Sequence, residues 1–142
     1  MRQATLSDAD AIAELSGQLG YPVAAAAIRQ RLERLLPVAD QAVFVAAEAG
    51  RVVGWIHGAD QVLVESERRC EILGLVVDQR LRRAGVGRGL VAEIERWAGA
   101  RGLAVVSVRS AVTRAESHPF YERLGYERVK SQHVYRKRLR AR

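Results

Sequence analysis

Val77-Asp-Gln-Arg-Leu-Arg-Arg-Ala-Gly-Val-Gly-Arg-Gly89 decides how this chain is read. It lies between the apolar run Ile72–Val77 and a stretch where Val86, Leu90, Val91, Ile94, Trp97 and Ala98 recur at helical spacing. A strand that passes through a basic, glycine-rich loop into a helix N-terminus presents unpaired backbone N–H groups and the positive end of a helix dipole. That arrangement suits an anion. Glycine at 85 and 87 lets phosphate oxygens approach the backbone with no Cβ in the way. A Walker loop, G-x-x-x-x-G-K-[ST], is not present. A dinucleotide fingerprint needs glycine or alanine where Leu90 stands, and a strand at the start of a βαβ unit. Here two helices and a hairpin come first.

On the N-terminal side, a short strand signal covers Arg2 to Thr5, and Thr5 and Ser7 compete as N-cap, each with an aspartate three residues on. Ile12, Leu15 and Leu19 mark a helix that stops at Gly20, and Ile28, Leu32, Leu35 and Leu36 mark a second that Pro37 closes. Ala42–Ala47 and Arg51–Ile56 read as strands joined by a turn at Glu48-Ala49-Gly50. Arg69 to Val77 reads as a central strand, because Ile72–Val77 is apolar enough for burial on both faces. On the C-terminal side, a helix from Gly85 to Arg101 is capped by Gly102, and Leu103–Val108 is a buried strand. Ala115–Leu124 is a short helix ended by Gly125, and Tyr126–Leu139 alternates enough for two more strands. A helix between two apolar strands implies a parallel crossover, and hairpins imply antiparallel pairing elsewhere, so the sheet is mixed α/β.

The 142 residues suffice for one domain with one core. A hydrophobic fraction of 49% with 27% charged residues excludes a disordered chain. The net charge of +7 asks for an anionic partner without saying which. One cysteine, Cys70, and three scattered histidines, His57, His118 and His133, give no disulfide and no expected metal site. No apolar run reaches the roughly 20 residues of a membrane span, and the N-terminus lacks a signal-peptide core, so the expectation is a cytoplasmic protein without membrane partner.

Two motifs sharpen this. Arg82-Arg-Ala-Gly-Val-Gly87 matches [RQ]-x-x-G-x-[GA], and Arg114-Ala-Glu-Ser-His-Pro-Phe-Tyr-Glu-Arg-Leu-Gly-Tyr126 follows R-x-x-A-H-x-F-Y-x-x-L-G-[FY], with Ser117 replacing the usual alanine. With the order of elements, they make essentially the whole chain resemble the GNAT superfamily of N-acetyltransferases. The resemblance implies one GNAT domain over residues 1–142, a mixed sheet of about seven strands and about four helices. It implies acetyl-CoA as co-substrate and direct acetyl transfer to a primary amine of a small molecule or peptide, with no acyl-enzyme and no metal. The three phosphate groups of coenzyme A then account for the basic surplus.

By the same resemblance, Arg82, Arg83, Ala84, Gly85, Val86, Gly87 and Arg88 hold the pyrophosphate. The backbone of Leu75, Val76 and Val77 pairs with the pantetheine arm, just past which the strands splay. Arg114 reaches a phosphate oxygen or is a surface arginine at a helix start. Tyr121 corresponds to the family tyrosine that protonates the leaving thiolate, and a phenol near pKa 10 is well matched to a thiol of about 8 to 9. Its other reading is an aromatic anchor of the short helix. Glu71 stands fourteen residues before Gly85, where some family members carry a catalytic glutamate in A-E-I; here the stretch is Cys70-Glu71-Ile72. It is the general base, a partner for one of the arginines, or a charged residue near the strand's exposed end. Glu48, Glu65, His57 or a water are the substitutes. Cys70 and His118 are read as packing residues, and Arg136–Arg142 as a solvated tail.

Two other functions compete: a silent GNAT fold that senses an acyl-CoA, and a small nucleic-acid-binding domain. The second lacks a recognition helix and, with 6% aromatic residues, a stacking platform, so no nucleic-acid partner is expected. Acceptor choice falls to Tyr21–Leu36, Asp60–Arg69 and Lys130–His133, in which no substrate code is legible. The edge of the last strands offers a homodimer surface.

Overall fold

The computed structural model describes residues 1–81, 84–109 and 117–140, the side chains of Ser117 and His118 excepted. The chain forms two units, Met1–Arg109 and Ser110–Arg142.

The first unit carries β1 (Arg2–Gln3), a 3₁₀ turn (Leu6–Asp8), α1 (Ala9–Gln18), α2 (Ala25–Leu35), β2 (Gln41–Glu48), β3 (Arg51–Gln61), β4 (Arg69–Val77), a second 3₁₀ turn (Gln79–Leu81), α3 (Val86–Ala100) and β5 (Val106–Val108). Neither Thr5 nor Ser7 is the N-cap of α1, which is Asp8; Thr5 caps the 3₁₀ turn before it. The Thr5 N–H donates to Asp8 Oδ2 at 2.8 Å, and the Asp8 N–H donates to the Thr5 carbonyl at 3.0 Å. Two arginine N–H groups of Arg2 hold the same carboxylate at 2.8 and 2.9 Å and keep its pKa below the ordinary value. The β2–β3 turn places Ala49 at φ 50° and Gly50 at φ 76°. Two consecutive left-handed residues are what a two-residue turn needs to match strand twist.

The strands pair in chain order, β1-β2-β3-β4-β5, antiparallel throughout except for the parallel β4–β5 pair. One face of the sheet is covered by α1 and α2, where Ala9, Ile12 and Leu32 pack with Val43 and Val45 and with the partly buried Ile28, Leu36 and Trp55. The other faces α3, whose Leu90, Val91, Ile94 and Ala98 are buried. A Cβ on Gly58 would stand 2.8 Å from Ile94 Cδ1, so α3 lies close against β3.

Three expectations need correction. The sheet has five strands among the described residues rather than seven: residues 127–140 form no strand and are exposed. Their apolar members Val129, Val134, Tyr135 and Leu139 are 79–91% exposed and set among arginines and lysines, so they build no buried face that would fix a register. The strand expected at Leu103–Val108 is reduced to Val106–Val108. Strand β4 is buried on both faces only over Cys70, Glu71 and Ile72; Leu73 is 51% exposed, because β5 stops accompanying it there.

The second unit contains α4 (Ser117–Arg123), ended by Gly125 at φ 91° with the Tyr126 N–H donating to the Tyr121 carbonyl at 3.0 Å.

Candidate functional site

Gly85 is the N-cap of α3, in the left-handed region at φ 84°, and a Cβ there would meet no atom within 4 Å. The helix ladder begins with the Gly89 N–H on the Gly85 carbonyl at 3.0 Å. The N–H groups of Val86, Gly87 and Arg88 therefore lie in the first turn, where no intrahelical acceptor exists. Ala84, Gly85 and Arg88 are exposed, whereas the Val86 side chain is buried, so Val86 offers only its backbone. This is an open, electropositive helix start. Arg82, Arg83 and Arg114 lie outside the described residues.

The loop is held from below by Asp78, a residue that sequence reasoning missed. Its carboxylate is 1% exposed and accepts the Arg80 N–H at 3.0 Å, the Arg80 guanidinium at 3.1 and 3.3 Å, and Arg51 at 3.2 Å. Those bonds, Arg80 foremost, bring its pKa down to about 2. The Asp-x-Arg spacing is an Asx-turn signature that was available in the sequence. Gln79 adds a second tether, donating its N–H to Gln18 Oε1 at 3.0 Å and its side-chain amide to the Gln18 carbonyl at 2.7 Å.

Strand β4 leads into this loop. Its pairing with β5 covers only Cys70–Val106, Glu71–Ser107 and Ile72–Val108. Among the described residues that pairing ends at Ile72, and Leu75, Val76 and Val77 have no strand partner on that side; the residues that the register would bring beside them lie outside the described ones. A bulge lies at the same place: His57 pairs with Gly74 and Gly58 with Ile72, which leaves Leu73 unpaired. Gly74 is required there, since a Cβ would come within 2.7 Å of the Trp55 ring.

Glu71 is 3% exposed and sits between two arginines, Arg109 Nε at 3.2 Å from Oε1 and Arg69 Nε at 3.6 Å from Oε2. Glu71 Oε2 and Arg69 Nε are buried without a hydrogen-bond partner among the described residues. The carboxylate lines a cavity of about 180 Å³ together with Gln61, Ile72, Leu73 and Arg109. A hollow of about 250 Å³ between the first turns of α1 and α2 includes Ser7, Asp10 and Arg29 but none of the expected catalytic residues.

The substitutes for Glu71 are less well placed. Burial lowers the pKa of His57, whose Nε2 is 2.7 Å from Gln41 Oε1, and Glu48 and Glu65 are exposed. Cys70 is fully buried; burial, then the charges of Asp60 and Glu71, push its thiol up to about 11. It is no nucleophile at neutral pH. Asp60, also missed, accepts Arg68 at 2.8 and 2.5 Å and Arg101 at 2.9 Å, and Arg101 continues to Asp40 at 2.5 Å. Its pKa falls to about 2, through Arg68 first.

In the second unit, the Tyr121 ring makes edge contacts with Phe120 (5.0 Å) and Tyr126 (5.9 Å between centroids). The His118 side chain lies outside the described residues. Among the described residues no group of His, Cys, Asp or Glu could hold a metal ion, and no helix is long and apolar enough to cross a membrane.

Comparison with known proteins places these features in context. The model of the acetyltransferase (GNAT) family matches residues 11–126. Solved structures align over nearly all of the chain. The aminoglycoside 6'-N-acetyltransferase AAC(6')-Iy, in complex with the bisubstrate analogue CoA-S-monomethyl-acetylneamine, has a TM-score of 0.84 at 22% identity, covering 97% of both chains. The aminoglycoside 6'-N-acetyltransferase AAC(6')-IG from Acinetobacter haemolyticus has 0.84 at 18%, covering 98% of both. An acetyltransferase of Trypanosoma brucei has 0.76 at 26%, covering 96% of this chain and 97% of its own. No curated protein matches the chain significantly.

Proposed function

The chain belongs to the acetyltransferase (GNAT) family and is an acetyl-CoA-dependent N-acetyltransferase, and from that premise we propose how its residues divide the work. What carries the reading is the glycine-opened N-terminus of α3 at the end of strand β4, whose described pairing with β5 stops at Ile72. In this reading the N–H groups at 86–88, with Gly85, Gly87, Ala84, Arg88, Arg82 and Arg83, receive the pyrophosphate of acetyl-CoA. Arg114 reaches a phosphate oxygen. Residues Leu75–Val77 give the backbone groups on their side away from β3 to the pantetheine arm, which lies along them as an added strand would. Bound acetyl-CoA supplies an activated acyl group on a thioester.

Glu71 takes a proton from the acceptor ammonium. The freed nitrogen lone pair forms the C–N bond as the C–S bond breaks, and Tyr121, assigned from its place in the downstream motif, gives its proton to the departing sulfur. As the amide forms the nitrogen gives up its second proton, which passes through solvent to restore Tyr121, and the proton on Glu71 returns to solvent, so one proton is released per turnover; the amine attacks the thioester directly and no acyl-enzyme forms. We treat residues 1–142 as one domain of a cytoplasmic enzyme. A homodimer belongs to the same reading, because Val134, Tyr135 and Leu139 expose apolar surface that a second copy would cover.

The test is free-thiol release from acetyl-CoA in the presence of primary amines, followed in two variants. Tyr121→Phe should keep acetyl-CoA affinity within a few-fold while turnover falls roughly 10²-fold. Glu71→Gln should be slowest near neutral pH, and its deficit should shrink as pH rises through the amine pKa of about 8 to 10. Unchanged turnover in the first, where chemistry limits the rate, makes Tyr121 an aromatic anchor. A pH-independent deficit in the second makes Glu71 a structural ion pair.

A further inference from the structure

The cavity at Glu71 has a composition that restricts what acceptor it takes. Its one buried carboxylate faces two guanidinium groups, and Arg109, at 73% side-chain exposure, pairs through Nε and stands on the cavity rim. The nearby Arg68 is not available, since Asp60 holds it, and Glu65 and Glu67 stay exposed on the 62–68 loop without lining the cavity. Local charge is therefore one unit positive before any acceptor arrives. An ammonium group gains from the Glu71 carboxylate on the cavity wall but meets repulsion from both arginines. A carboxylate on the same molecule removes that penalty by pairing with the Arg109 guanidinium, whose planar fork suits it. Additional ammonium groups make the penalty worse.

Size points the same way. At about 180 Å³ the cavity is smaller than the pockets that enclose drug-sized ligands. Resting on the assignment of Glu71 as base, we infer that the acceptor is a single free amino acid, its ammonium at Glu71 and its carboxylate on Arg109, with Leu73 as an apolar wall for its side chain. Acetylation then yields an N-acetyl amino acid and the free thiol of coenzyme A, the ammonium having given up a proton.

Thiol release is measured with the twenty L-amino acids, each beside its α-carboxamide, and with spermidine and neamine as polycations. The expected result is at least one amino acid whose kcat/KM exceeds that of its amide tenfold or more. Arg109→Gln should bring that ratio towards one through KM, and Arg109→Lys should restore part of it. Because acid and amide are compared within one variant, a general loss of activity does not move the ratio. Amides equal to their acids, polycations faster than every amino acid, or a ratio unchanged in Arg109→Gln overturns the inference. Calorimetry with acetyl-CoA separates the two levels. If acetyl-CoA binds and only carboxylate-free amines are acetylated, the acceptor class is wrong and the enzyme stands. If acetyl-CoA neither binds nor reacts, both fail.

Discussion

Gly85 and Gly102 sit at opposite ends of α3, both left-handed (φ 84° and 79°) and both with open space where a Cβ would go. An L-residue in that conformation costs about 1–2 kcal/mol, and with no atom within 4 Å there is no clash to add. Gly85→Ala and Gly102→Ala should therefore lose the same stability. At about 4 °C per kcal/mol for a domain of this size, that is a Tm lower by about 4–8 °C in each. Their acetyl-CoA affinities should differ, because only position 85 adjoins the proposed pyrophosphate. Gly85→Glu separates the two effects further. A carboxylate at a helix N-terminus recovers about 0.3–1 kcal/mol through the dipole, so this variant should melt higher than Gly85→Ala. The same carboxylate about 4 Å from two phosphate charges costs about 1 kcal/mol per charge at the dielectric of water. Roughly 2 kcal/mol is about thirtyfold in Kd, and the deficit should shrink at high salt. Calorimetry with acetyl-CoA on Gly85→Glu, Gly87→Glu and Gly102→Ala reads the outcome. Undiminished affinity in both glutamate variants, or an equal loss in Gly102→Ala, refutes the site assignment.

Two further perturbations address what holds the site in place. Gly58→Ala should cost about 1–3 kcal/mol, because its Cβ would lie 2.8 Å from Ile94 Cδ1. Ile94→Val alone should cost about 0.5–1.5 kcal/mol, and the double variant less than the sum, since the clashing methyl is gone; additive urea midpoints would contradict the packing. Asp60 and Asp78, both held near pKa 2 by arginines, take up protons in the unfolded chain first, near pH 4. Their contribution is thus complete above about pH 4 and is lost as pH falls towards 2. Asp60→Asn should lower the urea midpoint at pH 7 and flatten its decline between pH 4 and 2; an unchanged slope would remove Asp60 from the acid response.

Sequence alone determined whatever is settled among near neighbours. Helix spacing and the glycines at 20, 102 and 125 marked where helices end, and each of those glycines is left-handed in the structure. Glu48-Ala49-Gly50 gave the hairpin, and the apolar run followed by the arginines and glycines of 77–89 gave the strand, loop and helix on which the family assignment turns. The same local signal misled at Tyr126–Leu139, where alternation without a buried face produced no strand. Tertiary structure decided the rest. The bulge at Leu73 is invisible in Ile72–Val77, since every residue there is apolar or glycine and a one-residue slip leaves the pattern unchanged. The parting of β4 from β5 depends on how far Val106–Val108 accompanies it. Asp78 and Asp60 each have a near partner in sequence, Arg80 and Arg68, but the second guanidinium at each, Arg51 from 27 residues away and Arg101 from 41, is brought by the fold. Glu71 has Arg69 two residues before it on β4, but Arg109, just past β5, is brought to it by the parallel pairing of the two strands. A carboxylate leaves water only where opposite charge is brought to meet it, and which arginine meets which carboxylate is fixed by strand register and helix docking.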